Sequence, residues 1–167
     1  KVEVVFADNQ GSPATGQNQA LRLITEEKVV AITGAYQSGV TLTTSAIAEK
    51  YGIPFVNGES VAAGLTERGF KWFFRTTPVA SDFARDYYDF LTDMKAAGAK
   101  ADSVALVHDN TEYGTSVANT ITAAFKAKGI ANVIDVANIE SKIDDIQARI
   151  TQIRAQVAET SSDYDRE

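Results

Sequence analysis

The chain has 167 residues, 44% of them hydrophobic and 23% charged, a balance that excludes a disordered or fibrous polymer and suits one domain or two small lobes around a buried core. Its net charge of −6 gives no attraction to polyphosphate and argues against nucleic acid as a partner. Without cysteine there is no disulfide, thiolate metal site or cysteine nucleophile, and no apolar run approaches the roughly 20 residues that cross a bilayer as a helix.

Residues 2–7 (VEVVFA) read as a buried strand that opens the chain at once, with no basic start, apolar stretch and small-residue cleavage site, so no signal peptide is expected in this chain. Pro13, then Ala20, Leu21 and Ile24 at three- to four-residue spacing, predict a loop leading into a helix. A strand follows at residues 29–33 (VVAIT), and Val40, Thr44, Ile47 and Tyr51 make a helical stripe that Gly52 ends before a strand at 53–56. Residues 71–74 read as a short aromatic strand. Phe83, Tyr87, Phe90, Leu91 and Met94 form the inward face of the next helix, closed near Gly98. Then come a strand at 103–108, a helix carrying Val117, Ile121, Ala124 and Phe125 and stopped by Gly129, and a strand at 132–136. The alternation predicts an α/β fold with mainly parallel sheets, right-handed crossovers and helices on both faces.

The last segment has a different period. Ile139, Ile143, Ile146, Ile150, Ile153 and Val157 follow the narrow seam of a heptad repeat over residues 137–159, with Ser141 and Asp144 placed to cap its start. Two readings stand: an ordinary packed amphipathic helix, or a short coiled coil. Asp144 and Asp145 suit the macrodipole of a helix start, which makes a metal role unnecessary. Residues 160–167 are polar and acidic without a period and read as a tail.

Ligands of open α/β sheets bind beyond the carboxyl ends of the strands, so the loops there are the places to search. Gly34-Ala35-Tyr36-Gln37-Ser38-Gly39 sets a serine hydroxyl and free N–H groups at the mouth of a helix, a seat for a carboxylate, unless Ser38 is simply the N-cap. Asn57-Gly58-Glu59-Ser60 follows the next strand; Glu59 and Ser60 either meet a ligand or belong to a solvated loop in which Ser60 caps a short helix. His108-Asp109-Asn110-Thr111-Glu112-Tyr113-Gly114 places Tyr113 as an aromatic wall, or as packing for a first helical turn.

Catalysis has less support. His108 is the one histidine and there is no G-x-S-x-G elbow, since Ser38 sits in Y-Q-S-G; a structural histidine is the expectation. Dinucleotide and triphosphate loops are absent from the sequence as well. Asp8 ends the first strand as in a receiver domain, but the further acidic pair and lysine of such a domain are missing.

The stretch FADNQGSPATGQNQALRLITEEKVVAITGAYQSGVTLTTSAIAEKYGIPFVN, followed by LTERGFKWFFRTTPVASDFARDYYDFL and ALVHDNTEYG, resembles the leucine/isoleucine/valine-binding family of periplasmic binding proteins. The likeness runs from residue 2 to about residue 136 and fades over the heptad-like segment. It implies a type I periplasmic-binding-protein-like fold, in which two α/β lobes close on a small amino-acid-like solute and the closed form docks on an ABC permease. No ligand bond is broken, no cofactor or metal is used, and the location is periplasmic. By the same likeness Ser38 matches the serine that holds the ligand carboxylate. Glu59 and Ser60 fall in the second ligand-contacting loop, Tyr113 matches the second lobe's wall tyrosine, and Tyr36 lies beside them.

Two departures matter. Val61 stands where the family has a hydroxyl residue, and Glu59 replaces a small one, which points beyond a simple aliphatic amino acid toward an ammonium, amide or hydroxyl. Family members also begin with a further strand and helix and continue with later second-lobe strands. The resemblance therefore implies parts of two lobes, residues 1–78 and 79–136. It also leads to an expectation of self-association, through exposed sheet edges or the 139–157 helix. A non-binding scaffold that oligomerises through that helix is the alternative function.

Overall fold

The computed structural model describes residues 2–100, 102–130, 132–137, Thr151 and Arg154. The isoleucine seam, the Ser141 cap, Asp144, Asp145 and the acidic tail fall outside these residues.

Helix α1 (Pro13–Thr25) begins at Pro13 itself, which the sequence reading puts in the preceding loop: Ser12 Oγ accepts the Thr15 N–H at 3.3 Å and Pro13 occupies the first turn. Strand β1 (Ile32–Thr33) leads into helix α2 (Ser38–Tyr51), which stops at Gly52, held at φ 68° with its N–H on Ala48 and Glu49 carbonyls. Strands β2 (Phe55–Asn57) and β3 (Phe73–Arg75) complete a parallel sheet in the order β1-β2-β3, with Ile32 opposite Phe55 and Phe55 opposite Phe73. A short 3₁₀ turn at Ala63–Leu65 lies between β2 and β3. Helix α3 (Ala80–Ala96) carries the chain to a second parallel pair, β4 (Ser103–His108) and β5 (Asn132–Ala137), joined through helix α4 (Glu112–Ala127).

α1 and α2 meet at Gly16, where an added Cβ would sit 2.6 Å from Val40 Cγ1. Glycine lets the two helices approach closely, and the contact chooses which side of α2 is buried. Val40, Thr41, Thr44, Ser45 and Ala48 face inward, whereas Tyr51 of the predicted stripe is exposed. Small side chains win here because the helices are close, and their hydroxyls bond back to the preceding turn, Thr44 to the Val40 carbonyl and Ser45 to that of Thr41.

Three further expectations need correction. Residues 2–7 form no strand: Val2 and Phe6 are 89% and 87% exposed, because a strand exists only by pairing its backbone and among the described residues nothing pairs with this segment. β1 starts at Ile32 rather than residue 29. In α3 the buried positions are Ala80 and Ala84, with Tyr88 and Leu91 half-buried, while Tyr87, Phe90 and Met94 of the predicted inward face point to solvent. The alanines admit α4, and the helix is rolled accordingly.

The core of this second half is Ala84, Ile121, Phe125 and Ile130, with Val104, Leu106 and Val133 of the sheet packed against it and Tyr88 tilted on Phe125 at 6.3 Å between ring centres. Replacing Phe125, 1% exposed, by alanine is expected to cost roughly 3–5 kcal/mol in a urea titration. Phe90→Ala, at a site 59% exposed, should cost under about 1 kcal/mol, and equal costs would show that the helix is rolled as the periodicity suggests.

Candidate functional site

The loops after β1 and β2 are tied by buried hydroxyls. Thr41 Oγ1 donates to the Ala35 carbonyl at 3.1 Å and accepts the Ala35 N–H at 3.2 Å. Ser60 Oγ lies 2.7 Å from Thr41 Oγ1 and within 3.0 Å of the Ala35 and Tyr36 carbonyls; the two hydroxyls share two protons, so one bridges the pair and the other goes to a carbonyl of the first loop. Asn57 shapes the second loop: Oδ1 accepts the N–H groups of Glu59 and Ser60 at 3.3 and 3.0 Å, and Nδ2 donates to the Ser60 carbonyl at 2.6 Å. Ser60 therefore serves as a strut between loops and not as a helix cap.

Ser38 is not the N-cap either. Gln37 takes that place without a side-chain cap bond, and Ser38 is the first helical residue. Its buried hydroxyl accepts the Ala62 N–H at 3.3 Å and keeps its own proton to donate. The first N–H groups of α2 have no intrahelical partner, as at any helix start, and Ser38 and Gly39 border a cleft.

From the other side, the turn after β4 brings in Tyr113. Asp109 Oδ1 accepts the Thr111 hydroxyl at 2.6 Å and the Thr111 N–H at 3.1 Å, while Thr111 Oγ1 caps α4 by accepting the Gly114 N–H at 3.2 Å. The Thr111 hydroxyl, followed by its N–H, holds the Asp109 carboxyl below the usual carboxylate range. The turn is so tight that a Cβ at position 114 would fall 2.2 Å from Asp109 Oδ1.

Tyr36, Ser38, Glu59, Ser60 and Tyr113, all five residues expected to meet a ligand, line one cleft of about 890 Å³. Its charged lining residues are Glu59, Asp109 and Glu112, with no lysine or arginine among them. An α2 mouth rich in donors, an acidic rim and two tyrosine rings make a cleft suited to a small solute with a carboxylate at one end and a donor-rich group at the other. A second cavity of about 670 Å³ runs along β4 between α3 and α4; it is bordered mainly by apolar side chains such as Phe90, Val107 and Ile121.

His108 is engaged on both ring nitrogens, Nδ1 at 2.6 Å from the Asp109 carbonyl and Nε2 at 2.8 Å from Asp135 Oδ1, which fits the structural role expected of it. Asp8 accepts the Gln10 N–H at 2.8 Å in a turn. Sequence reasoning missed Arg75. Its Nη1 and Nη2 donate to the Val61 and Ala62 carbonyls at 3.1 and 2.7 Å, beside the loop that carries Glu59 and Ser60. Burial lowers its pKa, and an arginine remains charged all the same. An arginine at the end of an aromatic strand was the available signal.

Comparison with known proteins agrees with this fold. A family model described as periplasmic binding protein matches residues 1–161. The Leu/Ile/Val-binding protein homolog 8 of Brucella abortus (strain 2308) is 33% identical over 150 residues, 87% of this chain and 36% of that protein. Among solved structures, the leucine binding protein LivK of Thermotoga maritima MSB8 superposes with a TM-score of 0.77 at 25% identity, over 92% of this chain and 43% of that one. The branched-chain amino acid transporter substrate binding protein LivJ of Streptococcus pneumoniae, solved with isoleucine, gives 0.67 at 26% identity over 91% and 41%. This chain thus spans about a third of the length of the curated relative, and over that span sequence, fold and family model agree: it belongs to the periplasmic binding protein family.

Proposed function

We propose that this chain is part of an extracytoplasmic capture protein, which binds a small amino-acid-like solute and hands it unchanged to an ABC importer in the membrane. The observation that carries the reading is the convergence of the α2 mouth, the Glu59-Ser60 loop and Tyr113 on one cleft. The family is one of binding proteins rather than enzymes, and the leucine and isoleucine named for LivK and LivJ supply the ligand class. In this reading residues 1–78 and 79–136 are parts of two lobes that face each other across the cleft.

The carboxylate of the solute sits at the N–H groups of Ser38 and Gly39, where the helix dipole and the Ser38 proton favour an anion. Its ammonium, or an amide or hydroxyl in its place, turns to Glu59. Tyr36 and Tyr113 flank the side chain.

A thermal-shift screen of amino acids, amides and small carboxylates tests the reading, since a ligand that binds only the folded chain stabilises it by RT ln(1 + [L]/Kd). Stabilisation by an amino acid is expected; no shift with any of them removes the proposal. For the amino acid that binds, Ser38→Ala should raise Kd about 10- to 100-fold by calorimetry, the effect of losing a hydrogen bond to a charged group. Glu59→Gln should weaken an ammonium-bearing solute about tenfold and leave its des-amino carboxylate unaffected; equal losses for both would show that Glu59 does not meet the ammonium.

Assembly is the second reading, favoured by exposed apolar side chains at Val2, Phe6, Tyr87, Phe90 and Val107 and by β4, which among the described residues is paired on one edge only. Light scattering should then show a concentration-dependent dimer that Phe6→Lys with Phe90→Lys reduces. A monomer at all concentrations ends that reading.

A further inference from the structure

Three consecutive residues between β2 and β3 exchange hydrogen bonds with four elements. The Val61 carbonyl accepts Arg75 Nη1 of β3 at 3.1 Å and the Ala80 N–H of α3 at 3.1 Å. Arg75 Nη2 reaches the Ala62 carbonyl at 2.7 Å, and the Ala62 N–H donates to Ser38 of α2 at 3.3 Å. The Ala63 N–H donates to Ser116 Oγ of α4 at 3.1 Å. Two of these elements, α2 and β3, belong to the three-stranded half, and two, α3 and α4, to the half built on β4 and β5.

Ser116 stands apart in this set. It supplies a side-chain bond from the second half, and it lies three positions after Tyr113 on α4, a spacing that puts both residues on one helix face. Through it the helix that carries Glu112 and Tyr113 is fixed to a backbone amide three residues beyond Ser60. The width of the cleft is the distance between those two groups of residues.

We infer that residues 61–63 are the pivot on which the two halves are indexed, and that Ser116 is a positioning residue for solute capture, its hydroxyl setting the separation of Tyr113 from the Glu59-Ser60 loop. The consequence for binding rests on the reading of the cleft as the solute site; the geometric role does not. A hydrogen bond of this kind does its work before the solute arrives, because two halves indexed at one pivot have fewer relative arrangements to lose when the cleft is filled.

The absence of cysteine makes the test direct: Lys50→Cys and Lys126→Cys, both exposed and one in each half, take spin labels at two defined positions. Pulsed electron spectroscopy on the solute-free chain should give a narrow distance distribution for the parent and for Ser116→Thr, and a broad one for Ser116→Ala. Alanine favours a helix more than serine does, so α4 stays folded, and an unchanged far-ultraviolet spectrum verifies it. By calorimetry, Ser116→Ala should raise the Kd of the bound amino acid about tenfold, and Ser116→Thr should restore it. An unchanged distribution in Ser116→Ala overturns the inference. Broadening in a chain whose parent form binds no amino acid keeps the pivot and removes the cleft reading instead.

Discussion

Two buried hydroxyls, Thr41 and Ser60, stand 2.7 Å apart between the loops that follow β1 and β2, and the near wall of the cleft depends on them. Each loop leaves the carboxyl end of a parallel strand, where backbone groups run out of ladder partners. A buried donor or acceptor without a partner costs about 1–3 kcal/mol, so the loops keep their form only if their carbonyls and amides are met internally. The hydroxyl pair does this by linking the Ala35 and Tyr36 carbonyls to the second loop, and Asn57 meets that loop's amides from within. The network is buried, with Thr41, Asn57 and Ser60 at most 1% exposed, and it leaves the donors of Ser38 and Gly39 for something else.

The packing of α1 on α2 serves the same end. Gly16 brings the helices close enough that α2 buries threonines and serines in place of large apolar residues, and its axis then directs the open N-terminus at the cleft. The partial positive charge of that terminus faces carboxylates at Glu59, Asp109 and Glu112. A dicarboxylate would meet repulsion from the rim, and a monoamine would leave the helix mouth empty. A zwitterion or an amide-bearing acid would satisfy both ends, and it is the solute class of the proposed function.

Much of this was legible in the sequence, for reasons that differ by residue. β4 was read to the residue at Ser103–His108, and Gly52 marked a helix stop, because caps are local chemistry. The five cleft residues were found through strand-end loops and family likeness, and the fold brings them together. What periodicity does not encode is the neighbour against which a face packs. Phe90 looks like core from its spacing, yet the alanines of α3 are what α4 can approach, and Thr41 and Ser45, outside the predicted stripe of α2, are buried beside Ser60 and Arg68. Residues 2–7 have a strand's composition, but pairing is a property of two segments, and among the described residues nothing pairs with this one. Arg75 and Ser116 bond to backbone groups that only the fold brings near.

The two walls of the cleft also differ in how they respond to acid. On the near wall the network is built of hydroxyls and amides, which do not titrate between pH 3 and 9. The far wall turns on Asp109, whose carboxyl is held below its ordinary value of about 3.9 chiefly by the Thr111 hydroxyl. A carboxyl lowered in the folded state contributes its stability in full above the unfolded value and loses it as pH falls through the folded one, so the loop beneath Tyr113 keeps its form through the neutral and mildly acidic range. Asp109 is largely exposed, and solvent screening keeps that contribution modest. Its effect is local: acid strong enough to protonate Asp109 weakens the charge-assisted bonds it accepts from Thr111, while the Thr111 cap on Gly114 and the hydroxyls that hold Ser60 carry no titrating group.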